Sequence, residues 1–393
     1  MQDVFIIGSK GIPARYGGFE TFVDKLTQNR ISGDVRYHVA CAVDRMPDEE
    51  QFIYNDAHCF NIEWKKLGPA RAIFYDLDAL DWAIGYAKAN ALPNPIFYVL
   101  ACRIGPFISK YKKEIHALGG KLFVNPDGHE WLRAKWSKPV RWYWKWSENR
   151  MIKHADLAVC DSKTIENYIQ TEYERHSPNT TYIAYGAEIS KQDGDEPAYE
   201  QWLETHSLKE NGYYLVVGRF VPENNYETMI REFMASDSRK DFVLVTGVND
   251  EFLSKLDQAT QFLSDARIKF VGTVYDQPLL QRIRKGAFAY LHGHEVGGTN
   301  PSLLEALAAT RLNLLLDVGF NREVAEDAAL YWSKEPGNLA CLIEAAEGMD
   351  DEKIACLDAK STATIEQRFS WPYIVGEYES LFLGAGKPSG MLG

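Results

Sequence analysis

Short apolar runs alternate with longer stretches of helical period along most of this chain. In the first half, Val4–Gly8, Tyr37–Ala42, Ile96–Ala101, Lys121–Asn125, Leu157–Cys160 and Tyr182–Ala184 read as buried strands. Between them, Glu20–Asn29, Ala70–Ala89 and Pro106–Leu118 carry apolar side chains at helical spacing. This is the βα rhythm of a doubly wound parallel sheet. The rhythm lapses across Gly186–Gly212, an acidic, polar stretch with one short helix near Tyr199–Thr205, which reads as a linker. It then restarts with Tyr213–Gly218, Phe242–Thr246, Ile268–Gly272, Ala287–His292, Leu312–Leu316 and Leu330–Ser333. The pattern predicts an α/β protein with two Rossmann-like domains, residues 1–190 and 208–370. They are expected to face each other across a cleft, with ligands at the C-terminal ends of the strands. An aromatic helix over 371–384 is predicted to return to the first domain, and 385–393, rich in Gly and Pro, to form a flexible tail.

Composition narrows the classes. The hydrophobic fraction of 46% suits sizeable cores, and no apolar run reaches the ~20 residues that span a bilayer. Met1–Gly8 reads as a strand rather than a signal peptide, so a cytoplasmic location is expected. The six cysteines lack a Cys-x-x-Cys pair, which argues against a zinc site or a disulfide framework. A net charge of −12 argues against a nucleic-acid partner.

The segment most suggestive of chemistry is His292-Gly-His-Glu-Val-Gly-Gly-Thr-Asn-Pro-Ser-Leu-Leu-Glu-Ala306. An apolar run leads into it, glycines permit a tight turn, and Pro301 suits a first helical turn. A strand, a glycine turn and a helix start together make an anion site, because free amides and the helix dipole point at the ligand. Gly298, Thr299 and Asn300 lie in that turn. Glu305 follows about one turn into the helix, placed to accept hydrogen bonds from sugar hydroxyls. The alternative is an ordinary strand–helix junction.

Other strand ends carry further candidates. Gly8-Ser-Lys-Gly-Ile-Pro-Ala-Arg-Tyr-Gly-Gly-Phe-Glu-Thr21 is not a Gly-x-Gly-x-x-Gly motif, so a dinucleotide oxidoreductase is disfavoured. Gly17 and Gly18 precede a helix and Arg15 adds a charge suited to phosphate, unless this is only a long surface loop. Arg219, just past Tyr213–Gly218, offers a guanidinium for phosphate oxygens, with Glu223, Asn224 and Asn225 beside it, unless it only forms a surface salt bridge. Asp127, in Asn125-Pro-Asp-Gly-His-Glu130, is the candidate to act on an acceptor hydroxyl, unless it only caps a turn before Gly128. Asp161 is either a similar loop-end residue or the N-cap of a helix from Ser162.

Two Asp-x-Asp triplets were weighed as metal ligands. Asp76-Leu-Asp78 falls in an amphipathic helical pattern and reads as a solvated face, and Asp193-Gly-Asp195 lies in the linker. No metal and no cofactor are expected. Trp131–Trp146 holds five of the ten tryptophans and is basic within an acidic chain. A helix from Ser137 and Pro139 would place Arg141 and Lys145 on one face and Trp142, Tyr143, Trp144 and Trp146 on the rest. Trp136, Arg141, Trp142, Trp144, Lys145 and Trp146 are therefore candidates for a membrane surface, the alternative being aromatic packing into the first domain.

Taken in order, Ile6–Thr21, Asn125–Gly128, Val217–Asn225 and Val296–Ala306 resemble the family 4 glycosyltransferases of the GT-B fold, and more closely the bacterial rhamnosyltransferases that begin capsule or cell-wall polysaccharides. The resemblance implies retaining transfer of L-rhamnose from dTDP-β-L-rhamnose, without metal, to the 4-hydroxyl of glucose or N-acetylglucosamine on undecaprenyl diphosphate. It implies a β-1,4 linkage and a site on the inner face of the cell membrane. By the same resemblance Arg219 binds phosphate, Glu305 the ribose, Gly298, Thr299 and Asn300 flank the diphosphate, and Gly17 and Gly18 form the glycine loop of the first domain. Asp127 falls where the wider family places an active-site His or Asp. Two departures stand out. The family's lysine after the arginine is missing at Glu223-Asn224-Asn225, leaving Arg15, His292 or His294 to supply the charge. Glu295 and Glu305 have nine residues between them, where the family's paired glutamates have seven. The alternative readings are another GT-B activity, such as glucosyl transfer or nucleotide-sugar epimerisation, and a non-catalytic binding subunit of a polysaccharide assembly complex.

Overall fold

The computed structural model describes residues 1–384 except 16, 134–135, 189–194 and 297. It divides into an N-terminal unit, Met1–Gly186 with the segment from Trp371, and a C-terminal unit, Ala187–Ser370. The predicted tail, Lys135, Asp193 and Gly297 lie outside the described residues.

The N-terminal unit runs β1 (Gln2–Ile7), α1 (Gly18–Gln28), β2 (Val35–Val43), β3 (Gln51–Tyr54), β4 (Ala57–Glu63), α2 (Arg71–Ala89), β5 (Ile96–Leu100), α3 (Ile108–Ala117), β6 (Lys121–Asn125), α4 (Lys138–His154), β7 (Leu157–Cys160), α5 (Lys163–Glu172) and β8 (Thr180–Tyr182). Its eight strands are ordered β3-β4-β2-β1-β5-β6-β7-β8, parallel except for edge strand β3. β1 and β5 are buried on both faces because helices cover both sides of the sheet, so they read as continuous apolar runs rather than alternating ones.

Two sequence expectations shift here. The β3–β4 hairpin was not anticipated, although Asn55-Asp56 joins the strands with φ of 49° and 55°, the left-handed pair of a two-residue hairpin turn. The strand expected at Tyr182–Ala184 is Thr180–Tyr182; Ile183 and Ala184 are buried beyond its end, and their burial mimics a strand in the pattern.

The C-terminal unit runs α6 (Glu196–His206), β9 (Tyr213–Val217), α7 (Tyr226–Ala235), β10 (Asp241–Val245), α8 (Asp250–Thr260), β11 (Ile268–Gly272), α9 (Gln277–Lys285), β12 (Ala289–His292), α10 (Pro301–Ala309), β13 (Asn313–Leu316), α11 (Gly319–Ala325), β14 (Leu330–Trp332), α12 (Asn338–Glu347) and α13 (Asp351–Arg368). The strands are all parallel, ordered β11-β10-β9-β12-β13-β14. Alternate residues of β9 serve two cores: Tyr214 and Val216 face one, Tyr213 and Leu215 the other. The stretch read as a linker contains α6, and α6 is part of this unit's core. Tyr199 and Trp202 pack with Tyr213 and Ile283, and Arg282 bonds Glu196 at 2.6 Å and Glu210 at 2.8 Å.

The last helix, α14 (Trp371–Leu383), is counted with the N-terminal unit. Buried Glu379 fixes it there, accepting hydrogen bonds from Ile31 N at 3.1 Å, Ser32 N at 2.7 Å and the Tyr37 hydroxyl at 3.4 Å. Glu379→Ala leaves those donors unpaired, at about 1–3 kcal/mol for each one that stays dry. The expected result is a clearly lowered midpoint in thermal unfolding, only partly restored by Glu379→Gln, whose NH2 cannot accept where one carboxylate oxygen did.

Candidate functional site

In the C-terminal unit, the end of β9 is pinned from two sides. Val217 O accepts from the Tyr290 hydroxyl at 3.1 Å and from Ser302 Oγ at 3.0 Å, which fixes the exit of β9 against β12 and the first turn of α10. Arg219 follows at once and is exposed, and no carboxylate of the described residues forms an ion pair with it. Its carbonyl accepts from Asn224 Nδ2 at 2.7 Å, while Asn224 Oδ1 meets His294 Nδ1 at 2.8 Å. Asn224 thus uses its amide inside the protein, tying the Arg219 loop to the β12–α10 turn. Glu223 takes part through its carbonyl, which accepts from Glu295 N at 3.1 Å. Asn225, in the left-handed region at φ 53°, donates to Gly293 O at 2.8 Å. A side chain on Gly293 would come within 2.4 Å of Asn224 O, so the close approach of the two loops requires glycine there.

The turn into α10 ends on buried Gly298 and Thr299 and on Asn300, whose side chain caps the helix by accepting from Ser302 N at 2.9 Å. Pro301 has no N–H to offer, and the next two amides, of Leu303 and Leu304, donate to the Asn300 carbonyl at 3.0 and 3.2 Å, so what this end of the helix presents to an anion is its dipole. In the next turn, Glu305 is 35% exposed, and its Oε2 accepts from Arg284 Nη2 at 2.5 Å. Arg284 is itself buried and holds that carboxylate in one orientation. This partner is not legible in the sequence, because nothing in the periodicity of α9 relates residue 284 to residue 305.

One expectation about charge fails in this unit. His292 cannot replace the missing lysine: burial, and then His294, push its pKa down to about 3, so it is neutral at physiological pH. Glu295, already out of step with the family's spacing, forms an ion pair with Lys334.

In the N-terminal unit, the glycine loop is tied back to its own helix. Lys10 N donates to Glu20 Oε1 at 2.8 Å, and Ala14 N to Asp24 Oδ2 at 2.7 Å. Gly17 has φ of 131°, and a side chain there would strike Glu20. Gly18 faces open space and Arg15 is exposed, so both remain available to a ligand.

Asp127 follows β6 at φ 57°, its N–H bonded to Asn125 Oδ1 at 2.8 Å. Burial raises its carboxyl pKa; Arg133, 3.8 Å away, opposes this, and Glu130 adds to it. Asp161 is not the N-cap of α5. Ser162 fills that role, accepting from Ile165 N at 3.1 Å, and Asp161 is buried one residue earlier.

Asp76 overturns the reading of a solvated face. It is 0% exposed and lies 3.3 Å from Arg103 Nε, while Asp78 pairs with Lys65 instead. Helical spacing assigned Asp76 to the outside because it could not foresee a buried arginine arriving from the loop after β5. The triplet therefore does not converge on a common point, and among the described residues no group of three or more His, Cys, Asp or Glu is arranged to hold a metal.

Helix α4 separates the proposed membrane residues. Trp142 is 68% exposed and Trp146 41%, and their rings stack at 5.9 Å. Trp136 donates to Glu130 at 2.9 Å and lies near Trp144, and Arg141 bonds the Trp136 carbonyl at 3.0 Å. Lys145 does not face outward. Its ammonium sits over the rings of Trp131, Tyr168 and Tyr173 and pairs with Glu172 at 2.9 Å, a cage that the linear sequence could not show. Among the described residues, no helix is long and apolar enough to cross a membrane.

Residues 1–188 match the model of a domain of unknown function, DUF1972. No curated protein matches the chain in sequence. Among solved structures it is similar to a sucrose-phosphate synthase from Thermosynechococcus elongatus, at 15% identity and a TM-score of 0.78, covering 98% of this chain and 99% of that one. It is also similar to HepE of Anabaena, solved in complex with UDP, at 15% identity and a TM-score of 0.69 over 98% of this chain and 100% of the other. A trehalose-6-phosphate protein from E. coli, bound with UDP-2-fluoro glucose, matches at 10% identity and a TM-score of 0.70, covering 97% and 99%. The chain has the GT-B fold, an α/β architecture with two parallel Rossmann-like sheets.

Proposed function

We propose that the chain is a glycosyltransferase using a nucleotide sugar, and that it moves L-rhamnose from dTDP-β-L-rhamnose to the 4-hydroxyl of a glucose or N-acetylglucosamine on undecaprenyl diphosphate, forming a β-1,4 linkage. The observation that carries the first part is the end of β9 against the start of α10: an exposed Arg219 and a pre-set Glu305. A leaving diphosphate needs a cation, and a ribose needs an acceptor for its hydroxyls. Two proteins of the same fold were solved with UDP or a UDP-sugar, which supports a nucleotide sugar as donor. The rhamnosyl reading rests on the motif resemblance. In it Asp127 acts on the acceptor hydroxyl, and Gly17, Gly18 and Arg15 bind on the acceptor side.

The test is transfer from a panel of nucleotide sugars to both lipid-linked acceptors. Transfer from dTDP-β-L-rhamnose alone supports the full reading. Transfer only from a UDP-sugar replaces rhamnose by another sugar, a second reading favoured by the UDP-bound relatives. Binding of nucleotide sugars with no transfer or hydrolysis would sink the catalytic reading.

A lipid-linked acceptor calls for contact with a membrane surface, and the exposed Trp142–Trp146 stack is the part of α4 suited to it. Trp142→Ser with Trp146→Ser is expected to lower binding to anionic vesicles at least about fivefold. Equal binding by the folded double variant would remove this element.

A further inference from the structure

Asp76 is a poor choice for stability alone. It is a carboxylate within α2, fully buried, and among the described residues neither oxygen has a hydrogen-bond partner and the one ionic neighbour is Arg103, at 3.3 Å. A buried ion pair repays its desolvation only when its hydrogen bonds are well formed. Arg103, by contrast, is firmly placed. Its Nη2 donates to Gly8 O at 3.1 Å, its carbonyl accepts from the Tyr143 hydroxyl at 2.7 Å, and Cys102 O next to it accepts from Ser147 Oγ at 2.5 Å. The side chain keeps 18% of its surface exposed, and among the described residues Nη1 has no partner. Arg103 stands just beyond β5, beside the glycine loop that leaves β1 and within electrostatic reach of Asp127 after β6. This is the C-terminal edge of a parallel sheet, where such sheets bind ligands.

We propose that Arg103 is an anion-binding residue of the N-terminal unit, taking a phosphate oxygen of a diphosphate-bearing acceptor, and that Asp76 is the positioning residue that holds its guanidinium and offsets its charge until the anion arrives. This rests on the reading of the chain as a transferase with a lipid diphosphate acceptor. The sequence reading missed Arg103 because it lies outside every recognised motif.

The pair also implies a dependence on pH. Burial raises the Asp76 carboxyl to about 6, with Arg103 pulling it back down. The other titratable groups in electrostatic reach of the pair are Tyr75 on the helix of Asp76, Tyr143 on α4, and Cys102 and Asp127 beside Arg103. Above about pH 6 Asp76 is ionised and offsets Arg103; below it Asp76 is neutral and the full cation is available. Anion affinity should therefore rise as pH falls through that value.

The experiment is calorimetric binding of geranyl-diphosphate-glucose to the full chain without donor, from about pH 5 to about pH 8, a range in which the diphosphate diester does not titrate. The wild type is expected to bind at least about fivefold more tightly at the acid end. Arg103→Ala is expected to lose about tenfold or more in affinity at every pH while binding dTDP-rhamnose as before. Asp76→Asn is expected to remove the pH dependence. Unchanged diphosphate affinity in folded Arg103→Ala, or an equal loss of donor affinity, would overturn the proposal; so would a pH dependence that persists in Asp76→Asn. Failure of the wider reading appears separately, as a wild type that binds the diphosphate but no nucleotide sugar.

Discussion

Arg219→Ala is expected to lower the rate of sugar transfer by on the order of 10²–10³-fold with little change in thermal midpoint. The reasoning starts from what the side chain does within the protein, which is little. It is exposed, no described carboxylate pairs with it, and the loop that carries it is held by backbone and amide contacts that survive its loss. Truncation therefore removes a cation without opening a cavity. What is lost is charge at the point where the leaving diphosphate becomes more negative, an interaction that strengthens in the transition state. Two neighbours that could replace it are not available: His292 is neutral, and Lys334 is paired with Glu295. Arg219→Lys should recover part of the rate, since an ammonium supplies charge but not a bidentate fork. Near-normal turnover in the folded Ala variant would show that the phosphates do not bind here.

Gly8→Ala and Gly18→Ala are expected to fail in opposite ways, although both belong to one glycine loop. A side chain on Gly8 would lie 2.2 Å from the backbone oxygen of Leu100, on the central strand β5, and Gly8 adopts φ of 104°. Neither strand can give way in the middle of an eight-stranded sheet, so the cost should reach ~4–5 kcal/mol or more and leave little folded protein. Gly18 has nothing within 4 Å of where a side chain would go. Gly18→Ala should keep the thermal midpoint, and it should weaken acceptor binding only if the loop approaches a ligand closely. Soluble, stable Gly8→Ala protein would contradict the packing described for β1. A Gly18→Ala variant with unchanged acceptor KM would remove Gly18 from the site.

The positions of several candidate site residues were legible because the backbone chemistry that places them is local. Arg219, Asn300 and Glu305 are fixed by distance from a strand end or a helix start, and the backbone's own hydrogen-bonding needs set those positions. The misreadings share a different cause. Asp76 and Asp78 are two residues apart on one helix, yet one meets Arg103 in the interior and the other Lys65 at the surface. Lys145 shares a face with Arg141 in the helical pattern, but three aromatic rings from other segments enclose its ammonium. His292 reads as a possible cation until its burial is known.

What the sequence determined by itself is the βα alternation, the doubly wound sheets and the placing of glycines and capping residues at strand ends, because periodicity and backbone chemistry act over a few residues. The tertiary structure alone decided which charges are free and which are spent: Arg284 on Glu305, Lys334 on Glu295, and Arg219 on none of the described carboxylates. The physical reason is that ionisation and pairing depend on burial and on partners brought from distant segments, and neither is encoded in the spacing of residues along the chain.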